Sequence, residues 1–139
     1  MATFTKFQDF AEQVLKGVHN FSSNTLKLAL SNTAPLATNT VLADITQITA
    51  GGGYVAGGYV LDSVVLTETG GTAKVTIADE TILATGGSIP TFRYLVIYND
   101  TPAGDPLIGW YDYGSALSLA NGESLTVDFD GTNGVFTLT

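Results

Sequence analysis

The 139-residue sequence contains no cysteine, one histidine and no long apolar run. Disulfides, thiolate metal sites and cysteine nucleophiles are therefore excluded. A helix that spans a bilayer needs about 20 apolar residues in succession, and none is present. The first residues carry Lys6, Asp9 and Glu12 among apolar ones, which is unlike a signal peptide. We expect a protein made in the cytoplasm, without a membrane partner.

Basic residues are also scarce, with 5 Lys and Arg against 13 Asp and Glu and a net charge of −8. Binding to nucleic-acid phosphates or to anionic lipid needs a cationic face, so neither partner is expected. An acidic surface suits a basic protein or a divalent cation, and it also keeps proteins soluble. Charged residues make up only 13% of the chain, about half the usual share. This low share fits a surface that partners cover in part.

The most informative pattern that is present runs over residues 91–114. Two segments rich in aromatic and branched residues flank a turn cluster at residues 99–106. Bulky side chains of this kind pack well across neighbouring strands, whereas Pro, Gly, Asn and Asp favour turns. The pattern predicts a long hairpin at the centre of a β domain. Because this hairpin has only one basic residue, Arg93, and no histidine, we interpret it as scaffold.

One segment near the N-terminus has a helical pattern. Apolar residues recur three and four positions apart, at Phe4, Phe7, Ala11, Val14, Leu15 and Val18. The stripe predicts an amphipathic helix over about residues 4–18. Thr5 and Gln8 have the spacing of a capping box, and Gly17 favours an ending. Such a helix packs onto a sheet or docks into a neighbouring subunit.

From residue 25 onward the apolar period is two, which is typical of strands with one buried face. Besides the hairpin, the segments predicted as strands are 26–30, 59–67, 73–78, 80–85, 116–119, 124–129 and 135–139. Residues 41–48 fit either a strand or a helical turn. Gly70-Gly71 and Asn121-Gly122 are strong signals for tight turns between the strands that flank them. Roughly seven to nine strands at regular spacing predict an all-β fold, a mainly antiparallel β-sandwich or jelly-roll-like barrel, with one N-terminal amphipathic helix. We expect a single domain over residues 1–139.

A glycine-rich segment, TAGGGYVAGGY, covers residues 49–59. Its first glycines match the GxGxxA pattern, but the Gly57-Gly58 pair would break the helix that a dinucleotide site requires. We predict an extended mobile loop or a bulged edge that carries Tyr54 and Tyr59. Such a loop either folds against a partner or stays a disordered surface.

Catalytic and metal-binding patterns are weak. His19 stands at the predicted helix end, and no GxSxG-type elbow accompanies it. Asp112 and Asp128 could belong to the paired carboxylates of a glycosidase, which need a sugar-binding cleft between them. The segment DFDGTNG at residues 128–134 departs from the EF-hand loop in its fifth and sixth positions. We expect no catalytic residues, no bound metal and no cofactor.

Four segments together resemble a known family. They are FTKFQDFAEQVLKGVHNFSSNTLKLALSNTAP, ITAGGGYVAGG, FRYLVIYNDTPAGDPLIGWYDYG and LANGESLTVDF. Their order resembles a family of small proteins from tailed bacteriophages and prophages, encoded among virion structural genes. The resemblance covers nearly the whole chain, and the YND-T…DPLIGW-DYG segment is its most specific part.

The resemblance implies a structural function, that of a capsid decoration (cement) protein. Such a protein would bind the major capsid protein on the outer head shell, stabilise the shell, act as a homotrimer and be found in the virion. The residues that we expect to contact a partner are Phe4, Phe7, Val14, Tyr54, Tyr59 and Trp110. The alternative is a tail or fibre component that binds carbohydrate or a receptor, with Trp110 or the tyrosines as stacking platforms.

Overall fold

The computed structural model describes residues 2–139 and has antiparallel sheets with one helix. The strands are β1 (Thr5–Lys6), β2 (Leu26–Ser31), β3 (Tyr59–Val60), β4 (Val65–Thr69), β5 (Thr72–Thr76), β6 (Glu80–Leu83), β7 (Ile89–Asn99), β8 (Leu107–Leu119), β9 (Ser124–Val127) and β10 (Phe136–Leu138). The helix α1 spans Gln8–Leu15, and a 3-10 turn spans Leu42–Asp44. The predicted all-β class with one helix is confirmed.

The strands form three sheets, of five, three and two strands. Their orders are β1-β8-β7-β2-β3, β10-β5-β4 and β6-β9. The predicted hairpin is the β7–β8 pair, in which Leu95 lies opposite Tyr111 and Ile97 lies opposite Gly109. The Gly70-Gly71 turn joins β4 to β5 as an antiparallel pair. The turn at Asn121-Gly122 also forms, but β9 pairs with β6 and not with β8.

Both faces of the five-stranded sheet are buried. On β2, Leu26, Leu28 and Leu30 belong to the main core, which also contains buried residues of β5 and β6. The opposite face of β2 contributes Ala29 to a smaller cluster, where Phe7 packs. Side chains alternate between the two faces of a strand, so apolar residues at successive positions indicate a sheet with a core on each side.

The helix is shorter than the sequence pattern predicts, and it begins at Gln8 rather than at Phe4. The preceding residues form β1, in which Thr5 lies opposite Trp110 and Lys6 lies opposite Gly109. A Cβ atom at Gly109 would lie 2.2 Å from the Phe4 ring, so glycine leaves room for Phe4 beside β8. Pairing with β8 therefore overrides the helical pattern, and the residue before the helix, Phe7, makes no side-chain cap.

The glycine-rich segment is held against β2 and β7. Tyr54 is 1% exposed, and its hydroxyl accepts a hydrogen bond from the Leu30 N–H at 3.1 Å and donates one to Gln47 Oε1 at 2.8 Å. The Tyr98 hydroxyl donates to the Gly57 carbonyl at 2.5 Å. These contacts replace the predicted mobile loop with an anchored turn. The 3-10 turn within residues 41–48 favours the helical alternative there.

Candidate functional site

An apolar groove of about 610 Å³ lies between α1 and the three-stranded sheet. The helix wall consists of Phe10, Ala11, Val14 and Leu15. The opposite wall is one face of the sheet, with Leu66 from β4, Ala73 and Val75 from β5, and Phe136 and Leu138 from β10. The register explains this face, because Val75 lies opposite both Leu66 and Phe136. Side chains directly opposite in an antiparallel pair share one face.

An aromatic cluster closes one end of the groove. The Phe136 ring lies 5.8 Å from the Phe4 ring, 5.3 Å from the Phe10 ring and 5.2 Å from the Phe21 ring, measured between centroids. Edge-to-face and offset contacts at these distances stabilise aromatic pairs. The cluster therefore ties β10 to the helix and to the segment before it.

Three leucines of the groove are exposed to solvent. Leu15 is 87% exposed, Leu138 is 63% exposed and Leu66 is 42% exposed. Single apolar residues on a surface are ordinary, whereas a contiguous apolar surface with this concave shape is typical of a binding site. Of the described residues that line the groove, Lys6 alone carries a full charge. The arrangement is suited to binding an apolar partner surface.

His19 lines the groove between two phenylalanine rings. Its ring centroid lies 5.2 Å from that of Phe10 and 5.8 Å from that of Phe21, and the residue is 7% exposed. Asn99 Nδ2 lies 3.1 Å from His19 Nδ1. Among residues 2–139, His19 Nε2 has no hydrogen-bond partner.

The orientation of Asn99 fixes the tautomer of His19. Asn99 Oδ1 accepts a hydrogen bond from the Thr101 N–H, and Asn99 Nδ2 donates to Asn24 Oδ1. Nδ2 is therefore a donor to His19 Nδ1 as well, so the proton of the neutral imidazole is on Nε2. Because the lone pair of Nδ1 is already engaged, His19 is poorly placed to act as a general base.

Burial is the main influence on His19, and it lowers the pKa of the imidazole below 6.5, while Asp9 opposes the shift. The unfolded chain then binds a proton that the folded chain does not, so stability falls as the pH drops below about 6.5. For His19→Gln we expect this dependence to disappear. Chemical unfolding of both proteins between about pH 7.5 and 5.5 should show their stabilities converging at the acidic end, with a slope difference of up to about 1.4 kcal/mol per pH unit.

Carboxylates are present in both proteins, so their contribution cancels from the comparison; this includes Glu80, whose pKa is raised by burial. Carboxylates with a lowered pKa titrate below the measured range. Asp44, for example, has a pKa held below 3.8 by hydrogen bonds from the Thr40 and Val41 N–H groups. Parallel pH profiles for His19→Gln and the unmodified chain would show that His19 is not buried as a neutral ring.

Two of the six predicted contact residues line the groove, namely Phe4 and Val14. Two others are core residues, since Phe7 is 0% exposed and Tyr54 is 1% exposed. Phe7 packs against Trp110 on the face of the five-stranded sheet that carries the smaller cluster, with ring centroids 4.6 Å apart. These two side chains cannot reach a partner in this structure, and assigning them to a contact surface was wrong.

The remaining two candidates, Tyr59 and Trp110, are half-buried and lie outside the groove lining. The Tyr59 ring lies 5.8 Å from the Tyr54 ring. Burial raises the pKa of the Tyr59 hydroxyl to about 12, and this hydroxyl has no hydrogen-bond partner within the part of the chain that the structure describes. The structure therefore does not bring the six candidates together on one surface.

The carboxylates considered for catalysis have structural partners. Asp112 forms an exposed two-point ion pair with Arg93, with Nε–Oδ1 at 2.7 Å and Nη2–Oδ2 at 3.0 Å. The hydrogen bond from Arg93 lowers the pKa of Asp112. Asp128 Oδ1 accepts a hydrogen bond from the Asp130 N–H at 2.8 Å. Over residues 2–139 there is no group of three or more His, Asp or Glu side chains with the geometry of a metal site.

Sequence reasoning missed the sheet wall of the groove. Leu66, Phe136 and Leu138 lie in segments that the period-two pattern predicts as strands, but that pattern does not say which strands pair or which face meets the helix. Leu15 was part of the predicted helical stripe. Its exposure could not be inferred, because the core covers only part of that stripe and the sequence does not show which part.

Comparisons with protein-family models, with curated proteins and with solved structures each found no match. The described part of the chain has no helix that is both long and apolar enough to cross a membrane.

Proposed function

We propose that this chain is a noncatalytic structural protein of a bacteriophage virion, a decoration protein that binds the major capsid protein on the outer head shell and stabilises the shell. The resemblance of its segments to a family of virion proteins is the reason for proposing the virion as the particle and the major capsid protein as the partner. The observation that supports a binding role is the apolar groove with its three exposed leucines. Cementing a shell requires apolar contact repeated at many copies, so that weak contacts add. No reacting group is needed.

Replacing two of the three exposed leucines of the groove should abolish most of this binding. For the double substitution Leu15→Ser and Leu138→Ser, we expect affinity for heads prepared without this protein to fall about tenfold per leucine, because burial of each side chain contributes about 1.5 kcal/mol. Co-sedimentation of purified protein with these heads measures the affinity. Serine leaves the net charge unchanged.

The matched control replaces two exposed leucines elsewhere, Leu36→Ser and Leu83→Ser, which are 64% and 47% exposed. This control should bind like the unmodified chain, and thermal unfolding should show that both double variants are folded. If the groove variant binds heads as well as the unmodified chain does, the groove is not the contact surface. If the unmodified chain does not bind heads, the proposed decoration function is contradicted. Sedimentation equilibrium tests the homotrimer that the resemblance implies.

A carbohydrate- or receptor-binding tail component is the alternative function. It would use exposed aromatic rings, and Tyr113 is 47% exposed. Trp110 is less suitable, because its ring already packs on Phe7. Glycan-array binding that is lost in Tyr113→Ala, together with no binding to heads, would support this alternative.

A further inference from the structure

The groove reaches the open edge of a strand as well as the face of a sheet. Three consecutive residues of β10, Phe136, Thr137 and Leu138, all line it. Neighbouring side chains of a strand point to opposite faces, so a groove that meets all three reaches the strand's edge. From β5, by contrast, only the alternate residues Ala73 and Val75 line it. The strand order β10-β5-β4 leaves that edge of β10 without a strand partner among the described residues.

An open strand edge selects an extended polypeptide as the occupant. Its unpaired N–H and C=O groups are a template for another strand, and natural proteins blunt such edges by keeping them short or with lysine, proline or inward charges. β10 is short, with three residues, but its sequence, Phe-Thr-Leu, contains no lysine, proline or charge. A small apolar molecule or a helix would cover the apolar face but would leave the backbone groups of β10 unpaired. An added strand satisfies both.

The apolar face determines which side chains the added strand should carry. Beside β10, every second side chain of an extended segment points to the same face of the sheet, which here is the face toward Val14 and Leu15. Aliphatic residues at alternate positions therefore fit the groove. The intervening side chains point to solvent.

Charge distinguishes a different protein from a second copy of this chain. Charges close to the groove nearly balance, because Lys6 lines it, Asp9 on α1 and Glu68 opposite Ala73 are acidic, and Glu12 and Lys16 form an ion pair with each other. The charge of the whole chain therefore decides. A second copy would bring a further net charge of −8, and like charges across an interface are unfavourable. An uncharged or basic segment is complementary.

We infer that the groove binds an extended segment of a partner polypeptide, which adds a strand beside β10, places aliphatic side chains in the groove and carries neutral or basic residues on its outer side. The inference rests on the proposed function for the identity of the partner as another virion protein. The recognition itself does not depend on that identity.

Peptide titration of the full chain, followed by NMR amide exchange, tests this mode of binding. The probe is a short capped peptide of alternating valine and lysine. At a peptide concentration about ten times its Kd, amide exchange in the segment from Phe136 to Thr139 should slow by about tenfold. The same peptide with alternate backbone nitrogens methylated should bind at least about tenfold more weakly, because it loses the edge hydrogen bonds.

Two further measurements separate the competing occupants. A valine–glutamate peptide should bind more weakly than the valine–lysine peptide. In sedimentation, Leu138→Ser should leave the oligomeric state of the chain unchanged, because self-association does not use the groove. The inference is overturned if exchange at β10 is unchanged by the peptide, if backbone methylation has no effect, or if Leu138→Ser leaves peptide binding intact. Because the peptide assay contains no heads, its failure with normal head binding would refute strand addition and leave the decoration proposal standing.

Discussion

Substitution of Gly58 by alanine is expected to lower the free energy of unfolding by roughly 3–5 kcal/mol, among the larger effects of single substitutions. Gly58 has a φ of +77°, and a Cβ atom there would lie 1.9 Å from the Leu28 carbonyl oxygen. The left-handed conformation costs a residue with a side chain about 1–2 kcal/mol, and the rest of the loss comes from moving β2. Urea unfolding followed by circular dichroism measures the change.

The matched control is Gly86→Ala. Gly86 has a φ of +70°, and a Cβ atom there would meet nothing within 4 Å among the described residues. Gly86→Ala should therefore lower the free energy of unfolding only by the cost of the left-handed conformation, about 1–2 kcal/mol. Both substitutions restrict the unfolded chain equally, so that contribution cancels between them. Similar losses for the two variants would contradict the close approach of Gly58 to β2.

Substitution of Phe10 by alanine is expected to cost about 3–5 kcal/mol, the usual range for a buried phenylalanine. Phe10 is 6% exposed, and its ring contacts those of His19, Phe21 and Phe136. Loss of this ring leaves a cavity at the point where α1 meets both β10 and the segment after the helix. Thermal and urea unfolding should both show the loss.

On the same helix, Leu15→Ala provides the control. Leu15 is 87% exposed, and surface substitutions usually change stability by less than about 0.5 kcal/mol. If Leu15→Ala destabilises the chain as much as Phe10→Ala does, the helix is packed on a different face and the groove is not open as described.

Local patterns predicted the parts of the fold whose partners are close in sequence. The β7–β8 hairpin and the Gly70-Gly71 turn are examples, since turn residues and flanking strands together specify them. The pairing of β9 with β6 was not predictable, because the strong turn at Asn121-Gly122 says only that the chain reverses. The choice of strand partner depends on the packing of the core, which no local pattern encodes.

Two residues show why the candidate site could be predicted only in part. Phe4 fits a helical stripe, yet it directly precedes strand β1. Its ring occupies the space that a side chain at position 109 on β8 would fill, and Gly109 leaves that space free. Tyr54 sits among glycines that favour mobility, yet its hydroxyl pairs with the Leu30 N–H in the core. In both cases a contact distant in sequence outweighs the local preference. The stripe did supply Phe4 and Val14, which line the groove.

The stacking of Phe4 on Phe136 has a consequence for assembly. These residues come from opposite ends of the sequence, so the groove exists only after β10 has joined β5 and the N-terminal segment has docked beside it. A nascent or misfolded chain would not display the recognition surface. If the proposed function is correct, attachment to a particle would favour correctly folded molecules without a separate checkpoint.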